Sequence, residues 1–434
     1  MSPSPFQLRC ALLVLAAVTR AAVASYDDIA GYTPVSDVVE HSELDLDMQE
    51  LEEGADLQTD AGFAAAYTAY SVGGNSEKTD SIRTIQGFST GAQEKLSGEK
   101  WFDVYEAYWG STDYADQFTS GACNGTEQFD DASVETRAEG CVKGAQYQNV
   151  WMYVIHELED AIEDCDIGNL NANDGGPHAW DEGWGFYAGS LEGTEGTGDG
   201  VMLYALAEKR CENFATCTAD DDGSDITGTA QVNSDMLELY KEGQVYLLDG
   251  DCGAAGDVKD KIIDLMGVPL VQGMLRYFYN ADPEAGDGGD KAAAELWAFS
   301  AAMLPRINEC DEEVATLVRA NTDIASADAP MSEGYVFLKE QLESVYSCMG
   351  ISCSQVGGLV IGESTTYYDG FEPCGDSDSG LSQIALGFII AAGAVVLAVG
   401  LGCFYRSRKN KEKMKAAMES DLGGFGASKS VGTL

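Results

Sequence analysis

An apolar run near the C-terminus constrains the topology of this chain most strongly. Residues Ile384 to Tyr405 form 22 consecutive residues without a charge. At about 1.5 Å per residue, such a helix is long enough to cross the roughly 30 Å hydrocarbon core of a bilayer. The residues that follow the run are strongly basic, with Arg406, Arg408, Lys409, Lys411, Lys413 and Lys415. The apolar run predicts a transmembrane helix over 384–405, and the positive charges that follow it predict a basic cytoplasmic tail over 406–434.

The N-terminus has the pattern of a secretory signal peptide. Arg9 precedes the apolar stretch Cys10 to Val18, and Ala22-Val23-Ala24 then supplies small residues at the positions that a signal peptidase reads. These features predict cleavage before Ser25, so that 1–24 is a signal peptide. Together the two ends predict a single-pass type I membrane protein at the plasma membrane, with its ectodomain outside the cell.

The cysteines of the predicted ectodomain indicate disulfide bonds. Of the 12 cysteines, Cys10 lies in the signal peptide and Cys403 in the membrane span. The others are Cys123, Cys141, Cys165, Cys211, Cys217, Cys252, Cys310, Cys348, Cys353 and Cys374. An even number in an exported chain predicts up to five disulfides, with the pairing open. The sequon Asn124-Gly125-Thr126 predicts a glycoprotein.

The chain is very acidic, with 73 acidic and 25 basic residues and a formal net charge of −48. This charge excludes nucleic acid as a partner, because both would be negative. A strongly negative surface attracts cations and remains soluble in a saline exterior such as sea water. The alternative interpretation is that the acidity serves solubility alone.

The spacing of apolar residues predicts an all-α ectodomain. Residues 25–60 are acidic and poor in aromatic residues, which predicts a solvated arm or an outlying helix. From residue 61 the long apolar-periodic stretches fit a period of 3.6, and Gly- and Asp-rich loops separate them.

A weak internal repeat predicts how the helices are arranged. The segment His178–Leu191 aligns without gaps on Lys291–Leu304, which places Glu182 over Glu295, Trp184 over Trp297 and Phe186 over Phe299. The repeat predicts two stacked helical bundles, over 61–230 and 231–350, before a cysteine-containing stalk at 351–383.

A candidate metal site lies in the first copy of the repeat. His178 and Asp181 have Lys291 and Ala294 as their counterparts in the second copy, so a single site is expected, and the chain has only three histidines. The preceding helix carries further ionisable residues, and the full set of candidate ligands is Tyr153, His156, Glu157, Asp160, His178, Asp181, Glu182 and Tyr187. Carboxylate, imidazole and phenolate groups suit iron better than soft metals. An anion completing the Fe(III) shell would need Arg83, Arg210 or Arg276 nearby. The alternative is that these are ordinary core and surface residues.

Two segments resemble a known family. Lys143–Asp160 and Gly176–Tyr187 are similar to the phytotransferrins of diatoms and other marine algae, which are related to the algal low-iron-inducible periplasmic proteins. The run His178-Ala-Trp-Asp-Glu182 is also similar to imelysin-like bacterial proteins. The likeness covers roughly Ala61 to Cys348.

The resemblance implies a non-enzymatic receptor at the cell surface. Members of the family bind Fe(III) with carbonate as a synergistic anion and are taken up by endocytosis. For this chain the resemblance therefore implies a location that includes endosomal vesicles, and endocytic or ferric-reductase partners. Two alternatives stay open. One is an imelysin-like metallopeptidase, although Asp160 stands where an HExxH motif would need its second histidine. The other is a cell-surface adhesion or structural glycoprotein.

Overall fold

The chain is mainly helical over the residues that the structure describes, as the sequence predicts. The structure, a computed structural model, describes residues 26–218, 227–286, 288–325, 331–362 and 364–375, where helices predominate and one short hairpin is present. In these ranges no helix is both long enough and apolar enough to cross a membrane. The predicted signal peptide, transmembrane helix and cytoplasmic tail lie outside the described residues.

The first half of the chain supplies nine helices and the hairpin. The helices are α1 Val39–Ser42, α2 Leu44–Asp56, α3 Asp60–Val72, α4 Ile85–Thr90, α5 Ala92–Lys95, α6 Lys100–Trp109, α7 Tyr114–Asn124, α8 Val134–Gly144 and α9 Trp151–Asp166. Between α3 and α4, strand β1 Glu77–Lys78 pairs antiparallel with β2 Ser81–Ile82.

The second half supplies nine more helices among the described residues. They are α10 Gly176–Ala188, α11 Leu203–Phe214, α12 Gln231–Asp249, α13 Cys252–Met266, α14 Val268–Ala281, α15 Asp290–Cys310, α16 Glu312–Thr322, α17 Tyr335–Glu343 and α18 Cys353–Val356. Short 3₁₀ turns occupy Glu127–Phe129 and Ser190–Glu192.

Local sequence explains where several helices begin. The side chain of Thr59 caps α3, that of Ser133 caps α8, and Asp311 accepts hydrogen bonds from two backbone amides of α16. Ser352 and Gln355 form a complete capping box at α18. Each cap satisfies backbone N–H groups that have no partner within the helix.

One long irregular helix connects the two copies of the predicted repeat. A π-helical segment, Ala145–Val150, joins α8 directly to α9. In the described part of the chain, α9 packs against α10 and α8 packs against α15, so this continuous element contacts the key helix of each copy. Trp184 of α10 and Trp297 of α15 belong to the same hydrophobic core. The predicted bundles therefore share one core.

The N-terminal segment is packed against the helices, which corrects the expectation of a solvated arm. Tyr32 and Val38 are buried, and the α2 residues Leu44, Met48 and Leu51 are fully buried. These α2 residues recur at intervals of three and four, which places them on one helical face. The high acidic content of the segment concealed this apolar stripe.

Five disulfides are present among the described residues, which confirms the predicted framework. The pairs are Cys123–Cys141, Cys165–Cys252, Cys211–Cys217, Cys310–Cys348 and Cys353–Cys374. The part of the predicted stalk that the structure describes folds back onto the helices, with Val356, Leu359 and Phe371 buried. Residues 351–375 therefore belong to the folded body and are not a free stalk.

Candidate metal centre

Two histidines meet one carboxylate oxygen at the surface of α10. His178 Nε2 lies 2.9 Å and His41 Nε2 lies 3.0 Å from the same atom, Glu182 Oε1. One ligand atom from each residue falls within 4.8 Å of the others, and no further group of this kind occurs among the described residues. The side chains are 12–20 % exposed, so solvent can reach the cluster.

The spacing of α10 creates half of this arrangement. His178 and Glu182 are four residues apart, which places them one above the other on the same helical face. His41 comes from α1, whose chain lies against α10. The two imidazole rings stand edge to face with centroids 5.6 Å apart.

Asp181 holds the N-terminal segment in place. Its carboxylate accepts hydrogen bonds from Tyr32 Oη at 2.5 Å, from the backbone N–H groups of Val35 and Ser36, and from Ser36 Oγ. Gln244 Nε2 donates a further bond at 3.1 Å. Asp181 is fully buried, and burial raises the pKa of its carboxyl. These hydrogen bonds fix the segment that carries His41.

The cluster has unusual protonation properties. Burial by itself would raise the pKa of Glu182, but hydrogen bonds from His178 and His41 bring it well below its usual value. Burial lowers the pKa of His41. For His178 the hydrogen bond and charge of Glu182 outweigh burial, and its pKa is raised. Glu182 is therefore ionised at neutral pH and attracts any cation that reaches it.

Glu157 and Tyr153 of α9 lie beside Glu182. Burial, followed by the charge of Glu182, raises the pKa of Glu157 well above its usual value. Burial and the charge of Glu157 raise the pKa of the Tyr153 phenol. The Glu157 carboxyl and the Tyr153 phenol therefore hold their protons to higher pH than exposed groups do, and a cation would favour their release.

Basic side chains surround these acids. Arg83 lies close to Phe186, with 5.5 Å between its guanidinium carbon and the centre of the ring. Its positive charge acts to lower the pKa of both His41 and Tyr153. Lys95 Nζ donates to Tyr153 Oη at 2.8 Å. Of the three arginines considered from sequence, Arg83 is the one beside this cluster, while Arg210 and Arg276 line a different cavity.

The remaining predicted ligands lie elsewhere or at the margin. His156 Nδ1 lies 2.6 Å from Glu99 Oε1, so it forms a separate pair. Tyr187 donates to Asn233 Oδ1 at 2.7 Å within the core. Asp160 raises the pKa of Glu157 through its charge. The structure thus brings together His178, Glu182, Glu157 and Tyr153 from the predicted set, and leaves His156, Asp181 and Tyr187 outside the cluster.

Sequence reasoning missed His41 as a member of the cluster. The available signal was composition, since His41 is the third of only three histidines in the chain. Its position in an acidic segment that was expected to be solvated hid that signal.

The donor set suits a hard or borderline metal cation. Imidazole nitrogen, carboxylate and phenol groups lie together, and carboxylate and phenolate oxygens are hard donors. Both histidines also have a buried Nδ1 without a hydrogen-bond partner among the described residues. The rings are therefore oriented by their Nε2 contacts with Glu182.

Comparison with known proteins identifies one family. The family model Fea1, described as low iron-inducible periplasmic protein, matches residues 8–365. No curated protein and no solved structure matches the chain.

Proposed function

This chain belongs to the low iron-inducible periplasmic protein family, and from that premise we propose that it binds ferric iron as cargo at the cluster of His41, His178 and Glu182. The family name connects its members with iron shortage and with a place outside the cytoplasm. The five disulfides agree with export. The function supported best is that of a non-enzymatic iron-binding protein.

The convergence of two imidazoles on one carboxylate oxygen carries this proposal. Histidine is scarce in the chain, yet two of its three histidines share the atom Glu182 Oε1. Glu157 and Tyr153 add a carboxyl and a phenol whose protons a trivalent cation would displace. The ligands proposed for Fe(III) are therefore His41, His178 and Glu182, with Glu157 and Tyr153 joining them.

Arg83 is the residue we assign to a synergistic carbonate. Arg83 is buried, and its positive charge acts to lower the pKa of Tyr153 and of His41. A guanidinium presents paired donors that match a planar oxyanion. Carbonate held there would supply negative charge next to the iron and offset the basic side chains around the site.

The wider proposal places the protein at the cell surface, with the transmembrane helix as its anchor and endocytosis as the route of uptake. Acidic vesicles would then release the iron by protonating the ligands.

Titration of the purified chain with ferric iron, with and without bicarbonate, tests the proposal. We expect saturable binding that needs bicarbonate, and at least about a tenfold loss of affinity in each of His41→Gln and His178→Gln. Ligation by Tyr153 predicts a visible phenolate-to-iron absorption band that Tyr153→Phe abolishes.

His156→Gln is the comparison variant, because His156 pairs with Glu99 and contacts the proposed ligands only through the edge-to-face packing of its ring on Tyr153. It should bind iron like the wild-type chain, and circular dichroism should show the same helix content in every variant. Undiminished iron affinity in folded His41→Gln and His178→Gln proteins would falsify the assignment.

A further inference from the structure

A second polar cavity lies around Glu295, the counterpart of Glu182 in the second copy of the repeat, and residues from both halves of the chain line it. It has a volume of about 480 Å³, and its lining includes five basic side chains in a chain whose net charge is −48. The five are Lys143, Lys209, Arg210, Arg276 and Lys291. Acidic residues also line it, namely Glu52, Asp56, Glu139 and Glu295. The cavity is thus more basic than its surroundings.

The surroundings of Glu295 in this cavity correspond to those of Glu182 in the proposed iron site. Glu295 of α15 corresponds to Glu182 of α10, and Phe299 corresponds to Phe186. Arg210 lies with its guanidinium carbon 5.9 Å from the centre of the Phe299 ring, as Arg83 does 5.5 Å from that of Phe186.

The phenol is repeated as well, while the residues around the glutamate have changed. Burial, with the charge of Glu295, raises the pKa of the Tyr277 phenol, and the charge of Glu182 contributes in the same way to the raised pKa of Tyr153. Where the first copy surrounds its glutamate with two histidines, the second has Lys143 Nζ at 3.8 Å and Lys291 Nζ at 3.9 Å from Glu295 Oε1.

The lysines neutralise the carboxylates nearest to them. Lys143 and Lys291 both pair with Glu139, the latter at 3.0 Å. The charges of Glu295 and Glu139 outweigh burial and raise the pKa of Lys143 above its usual value. The lysines therefore stay charged, and they form the ion pairs of Glu139 and Glu295 among the described residues.

The two arginines have unused hydrogen-bonding capacity. Arg210 is 5 % exposed, and its one side-chain hydrogen bond among the described residues runs from Nη1 to Asn213 Oδ1 at 2.9 Å. The Nε atoms of Arg210 and Arg276 are buried without a hydrogen-bond partner in the described part of the chain. Neither guanidinium has a carboxylate within ion-pair distance there. Buried charged donors of this kind are costly unless a ligand satisfies them.

We infer that this cavity binds a small oxyanion with two or more negative charges, held by Arg210 and Arg276. Phosphates and polycarboxylates share the required chemistry, because both present several oxygens to guanidinium groups. Lys209, exposed at the rim, adds a further positive charge. The two corresponding glutamates thus lie in different surroundings, Glu182 among histidines and Glu295 among lysines. This inference does not depend on iron binding by the first copy.

Calorimetric titration of the metal-free full chain in bicarbonate-free buffer tests the inference. The probes are citrate and inorganic phosphate, which separate the two sources, with acetate as a monovalent comparison. We expect saturable binding of citrate, phosphate or both, far tighter than that of acetate. Each of Arg210→Gln and Arg276→Gln should weaken it about 10- to 100-fold, since each removes a charged hydrogen-bond donor.

Two control variants make the result specific. Arg319→Gln removes an arginine outside the cavity, 44 % exposed and paired with Asp323, and should leave anion binding unchanged. His178→Gln alters the iron cluster and should also leave it unchanged. Arg276 is only partly buried, so its variant keeps the test decisive if Arg210→Gln fails to fold. Absence of saturable binding, acetate binding as tight as that of citrate and phosphate, or equal affinity in a folded Arg276→Gln chain would each overturn the inference.

Discussion

Glu182 and Glu295 illustrate how neighbours decide what one residue type can do. They occupy corresponding positions in α10 and α15, and each lies near a tyrosine and an arginine that approaches a phenylalanine ring. Histidines can release their protons to a metal near neutral pH, whereas lysines keep theirs. The same carboxylate is therefore available to a cation in one copy and occupied by ammonium groups in the other.

The first prediction concerns the pH dependence of iron binding. Glu182 raises the pKa of His178, so His178 takes up a proton as the pH falls towards the acidic range, and Glu157 holds its proton at higher pH than usual. Each proton that iron must displace lowers the affinity on the order of tenfold per pH unit. Affinity should therefore be higher at pH 8 than at pH 5. Competition titrations across this range measure it, and a constant affinity would contradict the proposed ligands.

The second prediction concerns Glu192, a buried acid that forms no ion pair among the described residues. Burial, with the charges of Glu208, Asp45 and Asp199, raises its pKa from 4.5 to about 7. Between these pH values the folded chain holds a proton that the unfolded chain has released, so Glu192 makes stability fall as the pH rises. Glu192→Gln should therefore increase the unfolding free energy by up to about 3 kcal/mol at pH 8, and have little effect at pH 4.5.

Denaturant unfolding at both pH values measures this effect. Glu238→Gln, at an exposed position of α12, is the control for removing one negative charge. An equal gain from both variants would attribute the effect to net charge and not to the burial of Glu192.

At the scale of elements, α10 uses adjacent residues for different tasks. Glu182 faces the histidine cluster, while Asp181 binds the segment that carries α1. Two Trp side chains from the same helix enter the core, Trp180 donating to the Tyr240 carbonyl and Trp184 to that of Ile29. The proposed iron site therefore depends on the hydrogen bonds of Asp181 as well as on its own residues.

The third prediction tests that anchor. Asp181→Ala leaves the hydroxyls of Tyr32 and Ser36 and two backbone N–H groups without their acceptor. Loss of such a buried network costs about 3 kcal/mol or more. Stability should fall, and hydrogen exchange at residues 29–42 should increase.

Asp257→Ala, at an exposed position of α13, is the control and should change neither quantity. Unchanged exchange at residues 29–42 in Asp181→Ala would show that the anchor is unimportant. Because Asp181 has this structural role, His178→Gln alone tests metal binding more cleanly than a variant that also alters Asp181.

At the scale of the whole molecule, several of the few basic residues lie where ligands are proposed. Arg83 and Lys95 adjoin the iron cluster, and Arg210 and Arg276 line the second cavity. Elsewhere the strongly acidic composition supplies a negative field that attracts cations towards the protein. Positive side chains thus lie at both proposed sites although the chain as a whole is negative.

The fourth prediction concerns the disulfides. Cys165–Cys252 joins residues 87 apart and links α9 to α13, whereas Cys211–Cys217 joins residues 6 apart. Because a longer loop loses more entropy in the unfolded chain, removing the first bridge should cost about 2 kcal/mol more than removing the second. Thermal unfolding of the two paired Cys→Ala variants measures the difference. Equal losses would show that loop closure does not dominate, and free thiols among the ten cysteines would contradict the framework.

The sequence by itself determined the features that depend on local pattern. A period of 3.6 predicted helices, an even cysteine count predicted disulfides, and the alignment of His178–Leu191 with Lys291–Leu304 identified α10 and α15 as corresponding elements. His178 and Glu182 could be placed together because one helical turn separates them. These inferences need only neighbours along the chain.

Only the tertiary structure decided which distant residues meet. The arrival of His41 at Glu182, the turn of Asp181 towards Tyr32, and the pairing of His156 with Glu99 each join segments far apart in sequence. Cysteine pairing and the basic cavity around Arg210 were settled in the same way. The physical reason is that periodicity specifies which face of a helix is apolar, while the packing of all the faces together selects the neighbours of each polar side chain.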